Sequence, residues 1–243
     1  MSIEAFIMAW NEADTIRLTI EHYQKFCGRI TILDNYSDDG TEEIAKSLGC
    51  EIKKFGIKGL LSDVEYTKVK NHCWKQSKAD WVIVCDADEI LQDITTDASI
   101  SGTIVKTFGW QVFSDRMPEH SWSELSKGFA DANYSKSIMF KPSRIKEINY
   151  VHGCHVAKPD GDVFYSHEIK PLFHYRNVGG YERLIKRHDL YRQRMSDWNK
   201  RWGCGIHYTY DDERRKKEWL EQYEKSVQFS ADFISGSGKE IQK

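Results

Sequence analysis

Over the first 90 residues, apolar runs of strand length alternate with stretches whose apolar positions recur at helical spacing. Residues 3–9 form a short apolar strand that ends at Trp10-Asn11-Glu12. Asp14 stands where it can cap a helix carrying Ile16, Ile20, Tyr23 and Phe26 on one face. A second strand over 29–33 runs into a polar loop, 34–41, and Glu42 and Glu43 then open a short helix closed by Gly49. A third strand follows at 51–55. Ser62-Asp63-Val64-Glu65 reads as a capping box for a helix that buries Tyr66, Val69 and Cys73. Residues 81–85 are continuously apolar and β-prone, as in a parallel strand covered on both faces. This order predicts an α/β fold, an open and mostly parallel sheet with its crevice at the carboxyl ends of the strands.

The middle of the chain changes character. Strand-like pieces at 103–112, 137–141, 148–157 and 170–175 are separated by loops rich in Trp, Ser, His and Asp. Helical periodicity returns at Tyr181. A further helix is predicted from Asp211, with Leu220, Tyr223 and Val227 on one face, and Ser235-Gly236-Ser237-Gly238 reads as a flexible tail.

The chain has 243 residues, 40% hydrophobic and 30% charged, a globular composition. Lys and Arg total 35 against 37 Asp and Glu, a net of −2, which argues against a nucleic-acid partner. The longest strongly apolar run is about five residues, far short of the roughly 20 that span a bilayer. Glu4 interrupts the opening apolar stretch and the first basic residue is Arg17, so no cleaved signal peptide is expected. Six cysteines without a Cys-x-x-Cys pair read as free thiols of a reducing cytosol.

The sharpest chemical signal is Asp86-Ala87-Asp88-Glu89, at the exit of the buried strand. In extended backbone Asp86 and Asp88 point to one side and can address one divalent cation, Mn²⁺ or Mg²⁺, which in turn can hold a diphosphate. Asp160-Gly161-Asp162 has the same spacing but follows Pro159 rather than an apolar strand, and reads as a turn. A strand ending in Asp-x-Asp also suggests a haloacid-dehalogenase-type phosphatase. Here the motif is on the fourth strand, Ile90 stands where Thr or Val is usual, and no further acidic motif follows.

Asp34-Asn35-Tyr36-Ser37-Asp38-Asp39-Gly40-Thr41 resembles the Asp-x-x-Ser-x-Asp-Gly-Thr signature of family 2-like glycosyltransferases with the GT-A fold. Trp10-Asn11-Glu12 resembles their Asn-Glu segment. The run from Tyr66 to Asn71, then Lys78-Ala79-Asp80-Trp81 and Asp86-Ala87-Asp88-Glu89, is similar to their helix-then-metal-strand block. Three blocks in the right order cover residues 3–91, and beyond them the resemblance is thin. The resemblance implies that Asp34 binds the nucleobase and that Ala9, Trp10, Asn11 and Glu12 embrace the nucleoside. Lys70 falls where the family often has Arg, keeping the charge without the fork. Asp63 is a further nucleotide-site candidate, although its place in a helix's first turn also explains it.

Such enzymes are generally inverting: a carboxylate takes the acceptor proton while the metal stabilises the leaving diphosphate. The usual Glu-Asp base motif is missing here. Candidate bases are Asp115, Glu119, Asp131 and His155, the last in a His152-Gly153-Cys154-His155 turn, and His174 ends a strand and could return to the metal. Residues 176–201 hold eight Lys or Arg and three Asp or Glu. That basic helix fits substrate phosphates, an anionic acceptor or a membrane surface, or a solvated face paired to the acidic remainder.

The expectation is therefore a GT-A domain over 1–175 (Rossmann-like, with helices on both faces), split into a nucleotide-binding half, 1–91, and an acceptor half, 92–175. A C-terminal helical extension, 176–243, follows. The expected activity is metal-dependent transfer from a nucleoside-diphosphate sugar donor, UDP-linked, to a glycan or lipid-linked acceptor, in the cytoplasm with a peripheral membrane contact through 176–201. The alternatives are a sugar-nucleotide nucleotidyltransferase, disfavoured by the lack of a Gly-rich phosphate loop after the first strand, and a non-catalytic nucleotide-sugar-binding protein.

Overall fold

A computed structural model describes residues 1–92, 94 and 100–229. β1 (Ile3–Ala9), α1 (Ile16–Tyr23), β2 (Arg29–Asp34), α2 (Thr41–Ser47), β3 (Glu51–Lys54), α3 (Asp63–His72) and β4 (Trp81–Asp86) alternate as the pattern predicts. Then come β5 (Glu89–Leu91), β6 (Ile104–Ser114), β7 (Lys127–Ala130), β8 (Met139–Phe140), β9 (Ile145–Glu147), β10 (Asp160–Gly161) and β11 (Tyr165–Val178). The chain continues through α4 (Gly180–Arg194), α5 (Asp197–Trp202), α6 (Asp212–Lys225) and β12 (Val227–Gln228).

The main sheet runs β12-β7-β6-β8-β4-β1-β2-β3, with β11 beside β6 and β5 beside β11. β4, β1, β2 and β3 are mutually parallel, whereas β8 and β7 join antiparallel. This is the mixed, mostly parallel open sheet of a GT-A-type, Rossmann-like α/β fold. β1 has β2 on one side and β4 on the other, so the strand order reverses there and opens a crevice at the carboxyl ends. Alternate residues of β1 and β4 feed two cores. Ala5, Ile7, Ile83 and Cys85 pack with Ile16, Ile20 and Tyr23, while Phe6, Met8, Val82 and Val84 pack with Trp74 and Phe140. Full burial on both faces is why these strands read as unbroken apolar runs. Among the described residues, no helix is long and apolar enough to cross a membrane.

Several local expectations are corrected. Thr15, not Asp14, occupies the position before α1, and Asp14 instead pairs with Arg183 on α4 at 2.7 Å. Ser62 precedes α3 without a capping bond, since the Asp63 amide is satisfied by Asn199 Oδ1 at 2.9 Å, from 136 residues away. Tyr66, Val69 and Cys73 are only partly buried, and the fully buried positions of α3 are Thr67 and Lys70. Residues 148–157 are a loop rather than a strand, turned by left-handed Asn149, Gly153 and Cys154. Asp160 and Gly161 form half of a short exposed ribbon with β9. α6 buries Arg215 and Trp219 and leaves Leu220 exposed, because Trp219 packs on Phe113 and Tyr181 while Arg215 pairs with Asp189. Val227 lies past the helix, in β12. The Ser235 to Gly238 tail lies outside the described residues.

Candidate active site

The crevice holds a cleft of roughly 400 Å³ that takes in residues from β1, α3, β4, β11, α4 and the loops after them. At the end of the cleft beside β2, where the sequence resemblance puts the nucleoside end, the 34–41 motif is mostly scaffolding for the turn after β1. Asn11, in the left-handed region, trades paired hydrogen bonds with Asp38: Nδ2 donates at 2.8 Å and Oδ1 accepts from the Asp38 amide at 3.0 Å. Its own amide donates to Ser37 Oγ at 2.9 Å, the Glu12 amide to Thr41 Oγ1 at 2.7 Å, and the Ala13 amide to Asp39 at 2.9 Å. Asp34 is fully buried. Oδ2 accepts from Lys54 at 2.6 Å and from the Ser37 amide at 3.0 Å, while Oδ1 has no partner.

Asp86 and Asp88 line the cleft on either side of Ala87, which is buried in the core. α1 fixes this turn from behind. Thr19 donates to the Ala87 carbonyl at 2.6 Å, Tyr23 to the Glu89 carbonyl at 2.8 Å, and His22 Nε2 to the Leu91 carbonyl at 2.9 Å. Asp86 faces Lys70 at 2.7 Å and Lys136 at 3.9 Å, and Lys136 also pairs with buried Glu89. Burial raises the Asp86 carboxyl above its ordinary range, against the pull of Lys70. Burial raises Asp88 too, but His174 and then Arg187 outweigh it and hold that carboxyl well below the usual range.

β5 pairs antiparallel with β11, opposing Glu89 to His174. His174 Nε2 thereby lies 3.4 Å from Asp88 Oδ2. Asp131 accepts from Gln111 Nε2 at 3.1 Å, which turns Gln111 Oε1 toward His174 Nδ1, 2.9 Å away. Nδ1 therefore donates to Gln111, and Nε2 is the ring nitrogen turned to the Asp88 carboxylate. A carboxylate and an imidazole nitrogen turned to each other, with the far ring nitrogen held by an amide, are the donor types that a divalent metal takes, and these residues fit one. Asp86, held by its lysines, does not converge with them, and no three donors form a preformed cluster among the described residues. Tyr134 stacks on His174 at 4.4 Å and packs edge-on against His155 at 4.8 Å. Gly109 permits that approach, since a Cβ there would sit 2.5 Å from the Asp131 carbonyl.

α4 closes the other wall. Arg187 Nη1 donates to Glu12 at 3.0 Å and Nη2 to Tyr191 at 2.8 Å. Arg194 lies 3.4 Å from the Trp10 ring centroid and bonds Asn35, with Nε and Nη1 unpartnered. The strap after α4 is tied down by Leu61, whose amide donates to the Arg194 carbonyl at 2.7 Å and whose carbonyl accepts from Ser196 at 2.9 Å.

Of the residues the sequence singles out, the cleft brings together Ala9, Trp10, Glu12, Asp63, Lys70, Asp86, Asp88, His155 and His174. Asn11 and Asp34 stand just behind its nucleoside end, and Asp63 binds Asn199 at 2.8 Å. Asp115 is not brought in: it lines a separate groove, where it accepts from Tyr223 at 3.3 Å. Glu119 is exposed, and Asp131 acts on the cleft only through Gln111. Lys136, Gln111, Arg176, Arg187 and Arg194 join the site without a sequence signal of their own, beyond the basic excess of 176–201.

Residues 5–95 match the family model for glycosyl transferase family 2, so the resemblance carried by the three sequence blocks is shown over that stretch. A search of the curated proteins finds no match. Among solved structures, the chain is similar to glucosyl-3-phosphoglycerate synthase from Mycobacterium tuberculosis, bound to Mn²⁺, UDP and glucosyl-3-phosphoglycerate. The identity is 20%, covering 44% of each chain, with a TM-score of 0.32. S. aureus TarS is 13% identical over 72% of this chain and 37% of its own, TM-score 0.47. Mannosyl-3-phosphoglycerate synthase from Rubrobacter xylanophilus is 19% identical over 45% and 40%, TM-score 0.32. The chain spans less than half the length of each of these.

Proposed function

We propose that this chain is a metal-dependent, inverting glycosyltransferase that moves a sugar from a UDP-sugar to a glycan or lipid-linked acceptor. The observation that carries the reading is Asp88 facing His174 Nε2 within a cleft built on a family 2 segment. A divalent cation held there, Mn²⁺ or Mg²⁺, would neutralise the leaving diphosphate. Asp88 would supply a carboxylate oxygen and His174 its Nε2, while Asp86 stays with Lys70 and Lys136. At the nucleoside end, the unpaired Asp34 Oδ1 acceptor lies in the field of Arg194, whose Nε and Nη1 donors are also unpaired. An acceptor beside donors complements the uracil edge, where an N–H stands between two carbonyls.

His155 is the base we assign. Burial and then Lys136 push its imidazole down to about 4, so the ring is neutral at neutral pH. Nδ1 donates to the Asn133 carbonyl at 3.3 Å, which leaves Nε2 for the acceptor hydroxyl proton. In this reading residues 1–91 hold the nucleotide, 92–175 the acceptor side, and 176–243 the wall and strap. Lys186, Arg192, Lys200 and Arg201 stay on the exposed side of that extension, available to an anionic membrane surface.

Turnover of a panel of nucleotide sugars with Mn²⁺ tests the proposal. Nucleoside diphosphate released along with sugar transfer supports it. Pyrophosphate released from a nucleoside triphosphate would instead identify a nucleotidyltransferase, and binding without turnover a non-catalytic protein.

A further inference from the structure

We propose that Arg176 is the anchor for an anionic group, a phosphate or carboxylate, on the acceptor. The inference rests on the glycosyltransferase reading above. Strand alternation places Arg176 in the cleft: Phe173 and Tyr175 go to the core, while His174 and Arg176 face the opposite side. An irregularity of register between His174 and Asn177 then returns Val178 to the core.

Apart from Arg194 over Trp10, each neighbouring cation of the cleft already has its anion. Lys70 holds Asp86 at 2.7 Å, Lys136 pairs with Glu89, and Arg187 bonds Glu12 at 3.0 Å. Arg176 has neither an ion pair nor a side-chain hydrogen bond among the described residues, and its Nε is buried without a partner. It shares the cleft lining with Tyr134, Tyr191, Tyr208, His188 and His207, and the field of Asp88 reaches it. Both imidazoles are neutral, and the two ring nitrogens of His188 are also unpartnered. A guanidinium partly withdrawn from water gains from an anion, and its planar fork matches a carboxylate or phosphate with two parallel bonds. The donor's diphosphate is served at Asp88 and His174, and the nucleoside end lies at Asp34 and Trp10. The open cation on the tyrosine-lined wall therefore falls to the acceptor.

Inorganic phosphate serves as the probe, titrated into protein preloaded with Mg²⁺ and UDP at fixed ionic strength and followed by melting temperature. UDP affinity is measured separately by calorimetry. The wild type should bind phosphate saturably. Arg176→Gln should weaken phosphate by about tenfold or more, the loss expected of a charge-assisted contact, with UDP affinity unchanged. Arg176→Lys, which keeps the charge but loses the fork, should bind phosphate more tightly than Arg176→Gln and less tightly than wild type, and circular dichroism of both variants checks the fold. If UDP affinity falls in Arg176→Gln and the UDP-loaded wild type binds no phosphate, Arg176 serves the donor diphosphate and the proposal is overturned. Unchanged phosphate binding in Arg176→Gln overturns it as well. Should UDP fail to bind the wild type, the glycosyltransferase reading fails, and phosphate titration without nucleotide still decides whether Arg176 binds an anion.

Discussion

His174 Nε2 sits 3.4 Å from Asp88 Oδ2, and its Nδ1 lies 2.9 Å from Gln111 Oε1 on the far side of the ring. The pair is thus prepared for a cation by a residue that touches neither substrate nor metal. Gln111→Leu keeps the buried volume and removes the amide that orients the ring. Outer partners of this kind are worth about 10–100-fold in metal affinity. Calorimetric titration of Mn²⁺ should show a loss of that size with the melting temperature close to wild type. Undiminished Mn²⁺ affinity would mean that Gln111 only packs.

Glu12 and Arg187 join the end of β1 to α4 through a buried, forked ion pair. Removing one member strands the other. Arg187→Met alone should cost about 3–5 kcal/mol, and Glu12→Gln in the same chain should recover part of it. Urea unfolding of the two variants reads the difference directly. Equal stability of wild type and Arg187→Met would show that α4 is held by other contacts.

Arg192 and Arg194 look equivalent in the basic stretch but stand in opposite environments. Arg192 is exposed and paired with Asp189 within its own helix, at 3.2 Å. Arg194 is buried over Trp10 and against Asn35. Arg192→Glu should change stability by no more than about 0.5 kcal/mol. Arg194→Glu would bury an unpaired carboxylate near Asp34 and Asp38, and should cost about 3–5 kcal/mol. Thermal melts of the two single variants separate these cases.

The contrast marks what the sequence makes legible. β1 and β4 are buried on both faces, and their order and limits follow from composition alone. Asp34, Asp86 and Asp88 are found because they stand where such strands end. The rest of the site depends on partners far along the chain. Asn199 replaces Ser62 as the cap of α3, and Gln111 and Asp131 orient the ring of His174. Thr19, His22 and Tyr23 look like ordinary positions of an amphipathic helix, yet all three grip the backbone under the aspartates. The basic run of 176–201 shows its charge but not its facing. Arg183, Arg187 and Arg194 turn inward to Asp14, Glu12 and Trp10 because those groups wait at the end of β1.

That grip gives acid sensitivity. His22 is buried, and burial pushes its imidazole down to about 4 against the opposing bond to Leu91. Its ordinary value is about 6.5, so between those limits the unfolded chain binds a proton that the native state refuses. Stability is therefore complete above about pH 6.5 and is lost as pH falls toward 4. One such group contributes roughly 2 kcal/mol between pH 6.5 and 5. Desolvation also pushes the imidazoles of His155, His188 and His207 down, so they act in the same sense. His22→Gln, which can still donate to Leu91, should lose less stability than wild type on going from pH 7 to 5, by about that amount. Parallel urea curves for the two proteins at both pH values would contradict it.

The central claim is that Asp88 and His174 hold a divalent cation for a nucleoside diphosphate. Calorimetric titration of UDP in Mn²⁺ and in EDTA, for wild type and Asp88→Asn, tests it most directly. UDP should bind wild type at least about tenfold more tightly with Mn²⁺ than in chelator, and Asp88→Asn should abolish that difference. UDP binding that is the same in EDTA as in Mn²⁺, or a metal effect that survives Asp88→Asn, would contradict the account.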